Sequence, residues 1–193
     1  VGSIEGSGTI DLGSNQLTTG SLNTAPTFAG VITGSGGLTK TGSGTLTLSG
    51  ANTYTGQTSV SGGVLSVSGS LSDSSAVSVS EGTTYVVGAS DSVGSIEGSG
   101  TIDLGSNQLT TGGLNSDKTF SGVIAGSGGL TKTGSGTLTL SGANTYTGQT
   151  NVSGGVLSLD STGSLSDSTS VALSGLTKLS ISGDEVVGSI EGS

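Results

Sequence analysis

Short runs of the chain alternate apolar and polar side chains with a period of two. Residues 9–12 are Thr-Ile-Asp-Leu, residues 45–48 are Thr-Leu-Thr-Leu, and residues 76–79 are Ala-Val-Ser-Val. This alternation is typical of strands that bury one face. The side chains predicted to point inward are Ile10, Leu12, Leu46, Leu48, Val77 and Val79. No window has an apolar period of 3.6 residues, so we expect almost no helix.

Glycine-rich stretches separate these runs, as at residues 34–37, 42–44 and 62–63. Glycine readily adopts the positive-φ conformations that tight corners need. A chain with 39 Gly residues could also be a low-complexity, disordered segment. However, Val, Ile and Leu alternate here with Ser and Thr, and the net charge of −9 is modest for 193 residues. The pattern therefore favours a folded, all-β structure.

Internal repetition is the strongest feature of the sequence. The string VGSIEGSGTIDLGSNQLTTG begins at Val1 and recurs at Val93, so the period is 92 residues. Residues 1–66 match residues 93–158 at all but seven positions, and two extra residues follow in the second copy. The domain organisation is a first copy at residues 1–92, a second at 93–186 and the start of a third at 187–193. We expect the natural array to be longer.

Three architectures accommodate many short strands: a sandwich, a propeller and a solenoid. Sandwich strands usually bring large aromatic side chains to the core, and each copy has very few. Stacked Val, Ile and Leu fill a narrow solenoid better, and near-identical copies suit its one-dimensional stacking. We therefore predict a solenoid and keep the sandwich as the alternative. With about 23 residues per turn, each copy would hold roughly four turns and advance the axis by about 19 Å.

Composition removes most kinds of chemistry. The chain has no Cys and no His, which excludes disulfides, thiolate metal sites and His-based triads. Four basic residues against 13 acidic ones leave no basic patch, so nucleic acid and anionic lipid are poor partners. No apolar stretch approaches the roughly 20 residues of a membrane-spanning helix. We expect no enzymatic activity, no catalytic or metal-binding residues, and no cofactor.

Residues 34–67 read GSGGLTKTGSGTLTLSGANTYTGQTSVSGGVLSV and recur with two changes at residues 126–159. The pieces GGLTKTGSGTLTLSG, ANTYTG and SGGVL resemble the passenger-associated transport repeat of autotransporters, also called the autotransporter-associated β-strand repeat. This resemblance implies a right-handed parallel β-helix within a large passenger that is exported through an outer-membrane barrel. It also implies a role for the repeat in export or folding, and a place in adhesins or biofilm proteins.

Two carboxylates are enough for glycoside hydrolysis, so acidic pairs need to be considered. Glu5 and Asp11 form one such pair and recur as Glu97 and Asp103. Because the pair belongs to the repeat pattern, we interpret it as part of a solvated strand face.

A second acidic pair, Asp184 and Glu185, aligns with residues 90–91 of the first copy, which are Ser and Asp. We interpret this pair as surface variation. Calcium β-rolls require a Gly-Gly-x-Gly-x-Asp series, and the GGLTKTG and GGVLSVSG segments lack the Asp. The sequence therefore excludes a calcium roll.

Thr-x-Thr triplets occur at Thr45 with Thr47 and at Thr53 with Thr55. Ice-binding solenoids require one triplet per turn on the same face. These triplets begin eight residues apart, so we expect both within one turn, pointing to different sides.

Three further kinds of residue recur at equivalent places. We expect the aromatic side chains to fill or cap the solenoid, although exposed tyrosine could stack on sugar rings; they are Tyr54, Tyr146, Phe28 and Phe120. We expect Asn52 and Asn144 to satisfy corner backbone groups. Lys40 and Lys132 are the only repeated cations, and we expect them to face solvent, near an acid.

Two functions remain from different classes. The first is structural: a rigid stalk or extracellular fibre on the bacterial surface, or secreted. The second is an adhesin or biofilm-matrix module whose repeats bind a partner directly, such as a surface glycan or host ligand. Near-identity of the copies favours the first. An enzymatic passenger with its active site elsewhere is a third possibility. The expected partner is an adjacent copy, by head-to-tail stacking into a filament.

Overall fold

A computed structural model of the chain describes residues 1–192, and this part of the chain contains strands and turns but no helix. The 23 strands are β1 (Thr9–Asp11), β2 (Leu17–Thr19), β3 (Thr27–Phe28), β4 (Val31–Thr33), β5 (Leu38–Lys40), β6 (Thr45–Leu48), β7 (Thr58–Val60), β8 (Val64–Val67), β9 (Ala76–Val79), β10 (Thr84–Val87), β11 (Asp91–Val93), β12 (Ser95–Gly98), β13 (Thr101–Asp103), β14 (Leu109–Thr111), β15 (Lys118–Phe120), β16 (Val123–Ala125), β17 (Leu130–Lys132), β18 (Thr137–Leu140), β19 (Thr150–Val152), β20 (Val156–Leu159), β21 (Ser170–Leu173), β22 (Lys178–Ile181) and β23 (Ser189–Gly192). Every strand pair is parallel, so the predicted β-solenoid is confirmed.

The chain winds through three faces in a fixed order, and strands on one face pair with those of the turns before and after. Face 1 is a nine-stranded sheet, β2-β5-β7-β9-β12-β15-β18-β20-β22. Face 2 is the six-stranded sheet β3-β6-β8-β10-β13-β16. Face 3 contains the β1-β4 pair and the sheet β11-β14-β17-β19-β21-β23, and bridges through Ala51 and Ser70 lie between its two parts. The sheet of face 1 follows the solenoid for about nine turns.

Alternation along each strand places one side chain inside and the next outside. Strands β6, β8, β9, β18 and β20 all alternate half-buried and buried residues. Of the six side chains predicted to point inward, Leu12, Leu46, Leu48, Val77 and Val79 are buried and Ile10 is half-buried. The buried side chains form one continuous core along both copies. The hydrophobic effect therefore holds the whole rod together rather than separate domains.

Turns are shorter than the roughly 23 residues expected from the sequence. Paired residues one turn apart are between 17 and 22 positions apart, as shown by Thr84 with Thr101 and Thr9 with Val31. The expectation of four turns per copy is therefore wrong. The shorter turn follows from three strands of only two to four residues, joined by tight corners.

One copy does not contain a whole number of turns. Counted from β1 to β12, the chain passes through twelve strands, and two corner segments at residues 51–54 and 70–72 bring the number of positions before β13 to fourteen. Fourteen positions on three faces make four turns and two thirds. Consequently β5 lies on face 1 while its equivalent β17 lies on face 3.

The two copies are thus related by a rotation of two thirds of a turn and an advance of about 22 Å, at about 4.8 Å per turn. This replaces the 19 Å expected from the sequence. Equivalent acids such as Glu5 and Glu97 also lie on different faces, and their axial separation exceeds the roughly 8 Å Debye length at physiological salt.

The two Thr-x-Thr triplets also lie on different faces, as expected. Thr45 and Thr47 belong to β6 on face 2, whereas Thr53 lies in the corner segment of face 3 and Thr55 directly follows that segment. The outward rows of neighbouring turns mix Thr with other residues, as where Thr45 pairs with Val64. The triplets do not form a repeating threonine array on one face.

Candidate functional site: buried polar contacts between turns

Several carboxylates of the acidic pairs bind N–H groups of the protein itself. The carboxylates of Asp11 and Asp103 accept hydrogen bonds from the backbone N–H groups of Gly13 and Gly105, both at 2.9 Å. Glu97 accepts from the side chains of Gln57 and Lys118, at 2.7 Å each. Within residues 1–192, no group of three or more acidic residues is placed to hold a metal ion.

The repeated lysines lie inside the solenoid, which corrects the expectation that they face solvent. Lys40 and Lys132 are each 1% exposed. The Lys40 Nζ donates to the carbonyl oxygens of Thr41, Gly42 and Gly62, at 2.7, 3.1 and 3.0 Å. All three N–H groups of the ammonium are therefore used. The last of these bonds reaches the next turn, so the lysine connects two turns at a glycine corner.

The second copy repeats this arrangement. Lys132 Nζ donates to the carbonyl oxygens of Thr133, Gly134 and Gly154, at 2.6, 3.1 and 3.1 Å. Burial lowers the pKa of both lysines below the ordinary value, and the charge of Asp117 opposes this shift at Lys132. Three carbonyl dipoles directed at one ammonium also compensate for the water that it loses. We call each set of four groups a lysine clamp.

Asn52 and Asn144 satisfy corner backbone groups, as predicted. The Asn52 side-chain oxygen accepts from the backbone N–H of Ile32 at 3.0 Å, and its amide donates to the carbonyl oxygens of Gly50 and Ser70. Asn144 makes the corresponding bonds in the second copy. The side chain therefore replaces a strand where the chain turns a corner, and it connects three successive turns.

The repeated aromatic side chains fill the interior, as predicted. Tyr54 and Tyr146 are 0% exposed, and Phe28 and Phe120 are buried in the same core. The Tyr54 hydroxyl shares a 2.6 Å hydrogen bond with Thr58, which in turn lies 3.2 Å from the hydroxyl of Ser75. Burial raises the pKa of both tyrosines well above the ordinary value. These rings are not available to stack on sugars.

Sequence reasoning did not identify the role of Asp91 and Glu185. The Asp91 carboxylate accepts from the backbone N–H of Leu71 at 2.9 Å, and the Glu185 carboxylate accepts from Leu165 at 2.6 Å. Asp91 is half-buried, and burial raises the pKa of its carboxyl group above the ordinary value of 3.8. Glu185 thus makes in the second copy the backbone contact that Asp91 makes in the first. The interpretation of Asp184 and Glu185 as surface variation is therefore wrong for Glu185.

We predict that Asp91→Asn raises the Tm at pH 7 by a few degrees. An amide oxygen can still accept from Leu71, as Asn52 does from Ile32, without burying a charge. Because the folded pKa is raised, the native state keeps a proton that the unfolded chain releases above about pH 3.8. The contribution of Asp91 to the free energy of unfolding is therefore fully present below pH 3.8, and it is lost as the pH rises through the pKa of the folded state.

The check is a thermal melt of both proteins from pH 3 to pH 8. The gap in Tm should open as pH rises, and it should be absent near pH 3. Asp167→Asn, which removes an exposed acid, controls for the change in net charge. A difference in Tm between the two proteins that is the same at pH 3 and pH 8 would contradict a raised pKa at Asp91.

The surface carries shallow grooves. One groove of about 410 Å³ runs beside Gly134, Gly154 and Leu176, and another of about 300 Å³ runs beside Asp91 and Gln108. Glycine, serine and threonine residues line most of the first groove together with Leu176, and polar side chains line the second. No helix among residues 1–192 is long and apolar enough to cross a membrane.

A family model described as the passenger-associated-transport-repeat matches residues 38–67 and 130–159. No curated protein and no solved structure matches the chain. The matched segments run from β5 to β8 and from β17 to β20, and each contains one lysine clamp and one corner asparagine. The chain thus contains two segments that match the passenger-associated transport repeat, and its parallel solenoid is consistent with an autotransporter passenger repeat region.

Proposed function

We propose that this chain is a rigid stalk segment of a secreted or surface-exposed bacterial passenger. The observation that carries the proposal is the junction between copies. Strand β12 opens the second copy and pairs with β9 of the first copy over four residues, and the core continues through the junction. A junction that is as well paired as the interior has no hinge, which is the property that a stalk requires.

The rotation between copies supports a stalk over an adhesin whose repeats each bind a partner. Equivalent residues return to the same face only after three copies, which is about 67 Å along the axis at about 4.8 Å per turn. A flat partner surface beside the rod would therefore meet equivalent residues only in every third copy. A spacer does not need its copies to face the same way, so the rotation is compatible with a stalk.

The partner that we propose for each copy is the next copy. The contact would be that of the observed junction, in which unpaired N–H and C=O groups of one turn are satisfied by the following turn. The identity of a tip or anchoring domain does not affect this proposal. A filamentous function then depends on the number of copies rather than on any one side chain.

We predict that length scales with copy number. Arrays of two, four and six copies should lengthen by about 22 Å per copy in solution scattering and in electron micrographs, with constant diameter. A direct-binding module would instead show binding to glycans or host surfaces that increases with copy number. Constant length, or binding that scales with copy number, would contradict the stalk.

We further propose that the chain needs no metal ion and catalyses no reaction. The acidic side chains described above bind backbone or side-chain N–H groups of the protein itself. The expected result is an unchanged Tm after addition of EDTA, measured against the same protein with excess CaCl2. A Tm that falls with EDTA and recovers with Ca²⁺ would demonstrate a metal site and contradict this proposal.

A further inference from the structure

A small, partly open cavity of about 10 Å³ lies in the second copy, where faces 1 and 3 meet. Its lining residues are Ser95, Ile96, Thr111, Gly112, Ser116, Lys118, Lys132, Thr137 and Leu138. The cavity has about the volume that one water molecule requires. It lies beside the lysine clamp of the second copy, and Lys132 is part of its lining.

Two buried hydroxyl groups on the cavity lining have no hydrogen-bond partner within residues 1–192. Ser95 is 3% exposed and Thr111 is 1% exposed, and neither side-chain oxygen has a hydrogen-bond partner among the described residues. Thr19, the equivalent of Thr111 in the first copy, is also buried with an unpartnered hydroxyl. Buried hydroxyls are costly without a partner, and this feature occurs in both copies.

The lining also indicates which ligand fits. Lys118 and Lys132 lie on it and no carboxylate does, so a metal cation is excluded by charge. All three N–H groups of Lys132 are directed at carbonyl oxygens, so none is free to bind an anion. A neutral molecule that both donates and accepts hydrogen bonds satisfies both hydroxyls.

We propose that the cavity binds a single water molecule that bridges Ser95 Oγ and Thr111 Oγ1. Ser95 begins β12 on face 1, and Thr111 ends β14 on face 3. The water therefore connects two faces of the solenoid at the start of the second copy. Because Thr111 lies one turn after Val93, the water also connects successive turns, as Asn144 does at another corner.

The sign of a stability change tests the proposal. Thr111→Val keeps the shape and removes the hydroxyl. If a water bridges the site, the variant loses a hydrogen bond and its Tm falls by about 2–4 °C. If the site is dry, the variant removes an unsatisfied polar group and its Tm rises. Ser95→Ala should lower the Tm in the same way, and the two changes should be less than additive because they share one water.

Thr150→Val is the matched control, since Thr150 is buried and bonds directly to the hydroxyl of Tyr146. Its Tm should fall whether or not the other site holds water. The unmodified protein gives a second, independent measurement that does not depend on how variants fold. A crystal structure should show one ordered solvent peak within hydrogen-bond distance of both oxygens, and NMR should show contacts between Thr111 and a long-lived water. An empty cavity, or a rise in Tm for Thr111→Val, would overturn the proposal.

Discussion

Gly50→Ala should destabilise the protein by about 3 kcal/mol or more, which places it at the high end of overpacking effects. A Cβ atom at Gly50 would lie 1.9 Å from the carbonyl oxygen of Gly30 in the preceding turn. Both atoms belong to backbone, so no rotamer change relieves the clash. Gly50 also accepts hydrogen bonds from Ser70 and Asn52, and any movement of the corner would weaken them. The measurement is chemical denaturation, with the free energy of unfolding extrapolated to water.

Gly8→Ala is the matched control, because Gly8 is the first residue of the same corner stack. The stack continues through Gly30, Gly50 and Gly69. A Cβ atom at Gly8 meets nothing within 4 Å, so this variant should unfold like the unmodified protein. Ser49→Ala, at an exposed position beside Gly50, is the control in the middle of the chain. If Gly50→Ala were as stable as these two, the close stacking of turns at the corner would be wrong.

The fold was predictable because alternation and repetition both act locally. Leu46, Leu48, Val77 and Val79 alternate with polar residues, and this fixes which side of each strand is inward. The near-identity of the copies, with a period of 92 residues, similarly favours a stacked architecture. Neither observation gives the length of a turn, which depends on how tightly three corners close. That length, and with it the rotation between copies, emerges only from the pairing of strands.

The lysine clamp could have been predicted from alternation alone. Leu38, Thr39 and Lys40 form one strand whose burial pattern is buried, half-buried, buried, so the register that buries Leu38 also buries Lys40. A lysine considered without its register is expected at the surface, because buried charge is rare. Lys40 is nevertheless buried, because three carbonyl oxygens accept hydrogen bonds from its ammonium group.

The roles of Asp91 and Glu185 were beyond sequence reasoning for a different reason. Each carboxylate replaces a backbone acceptor for a residue 20 positions earlier in the chain, Leu71 or Leu165. No sequence motif indicates this separation of 20 positions, because it depends on the length of a single turn. The two copies also use different residue types, so the repeat itself does not reveal the shared contact.

Lys132→Met should destabilise the protein by about 2–4 kcal/mol. Methionine keeps most of the apolar stem but provides no donor. The carbonyl oxygens of Thr133, Gly134 and Gly154 then lose their shared partner at a corner where the backbone is closely packed. Unsatisfied buried carbonyl groups cost more than the bond itself contributes, since they do not regain water. Urea denaturation, followed by far-UV circular dichroism, measures the loss.

Lys178→Met is the control for the lost charge, because Lys178 is exposed on β22, and it should change stability by less than about 0.5 kcal/mol. Lys40→Met should repeat the effect of Lys132→Met, and the double variant should lose the sum of the two. The clamps lie a full copy apart on faces 1 and 3 and share no partner, so their effects should be additive. Equal stability of Lys132→Met and Lys178→Met would show that the buried ammonium is dispensable. A double variant that loses much more than the sum would show that the two clamps are coupled through the core.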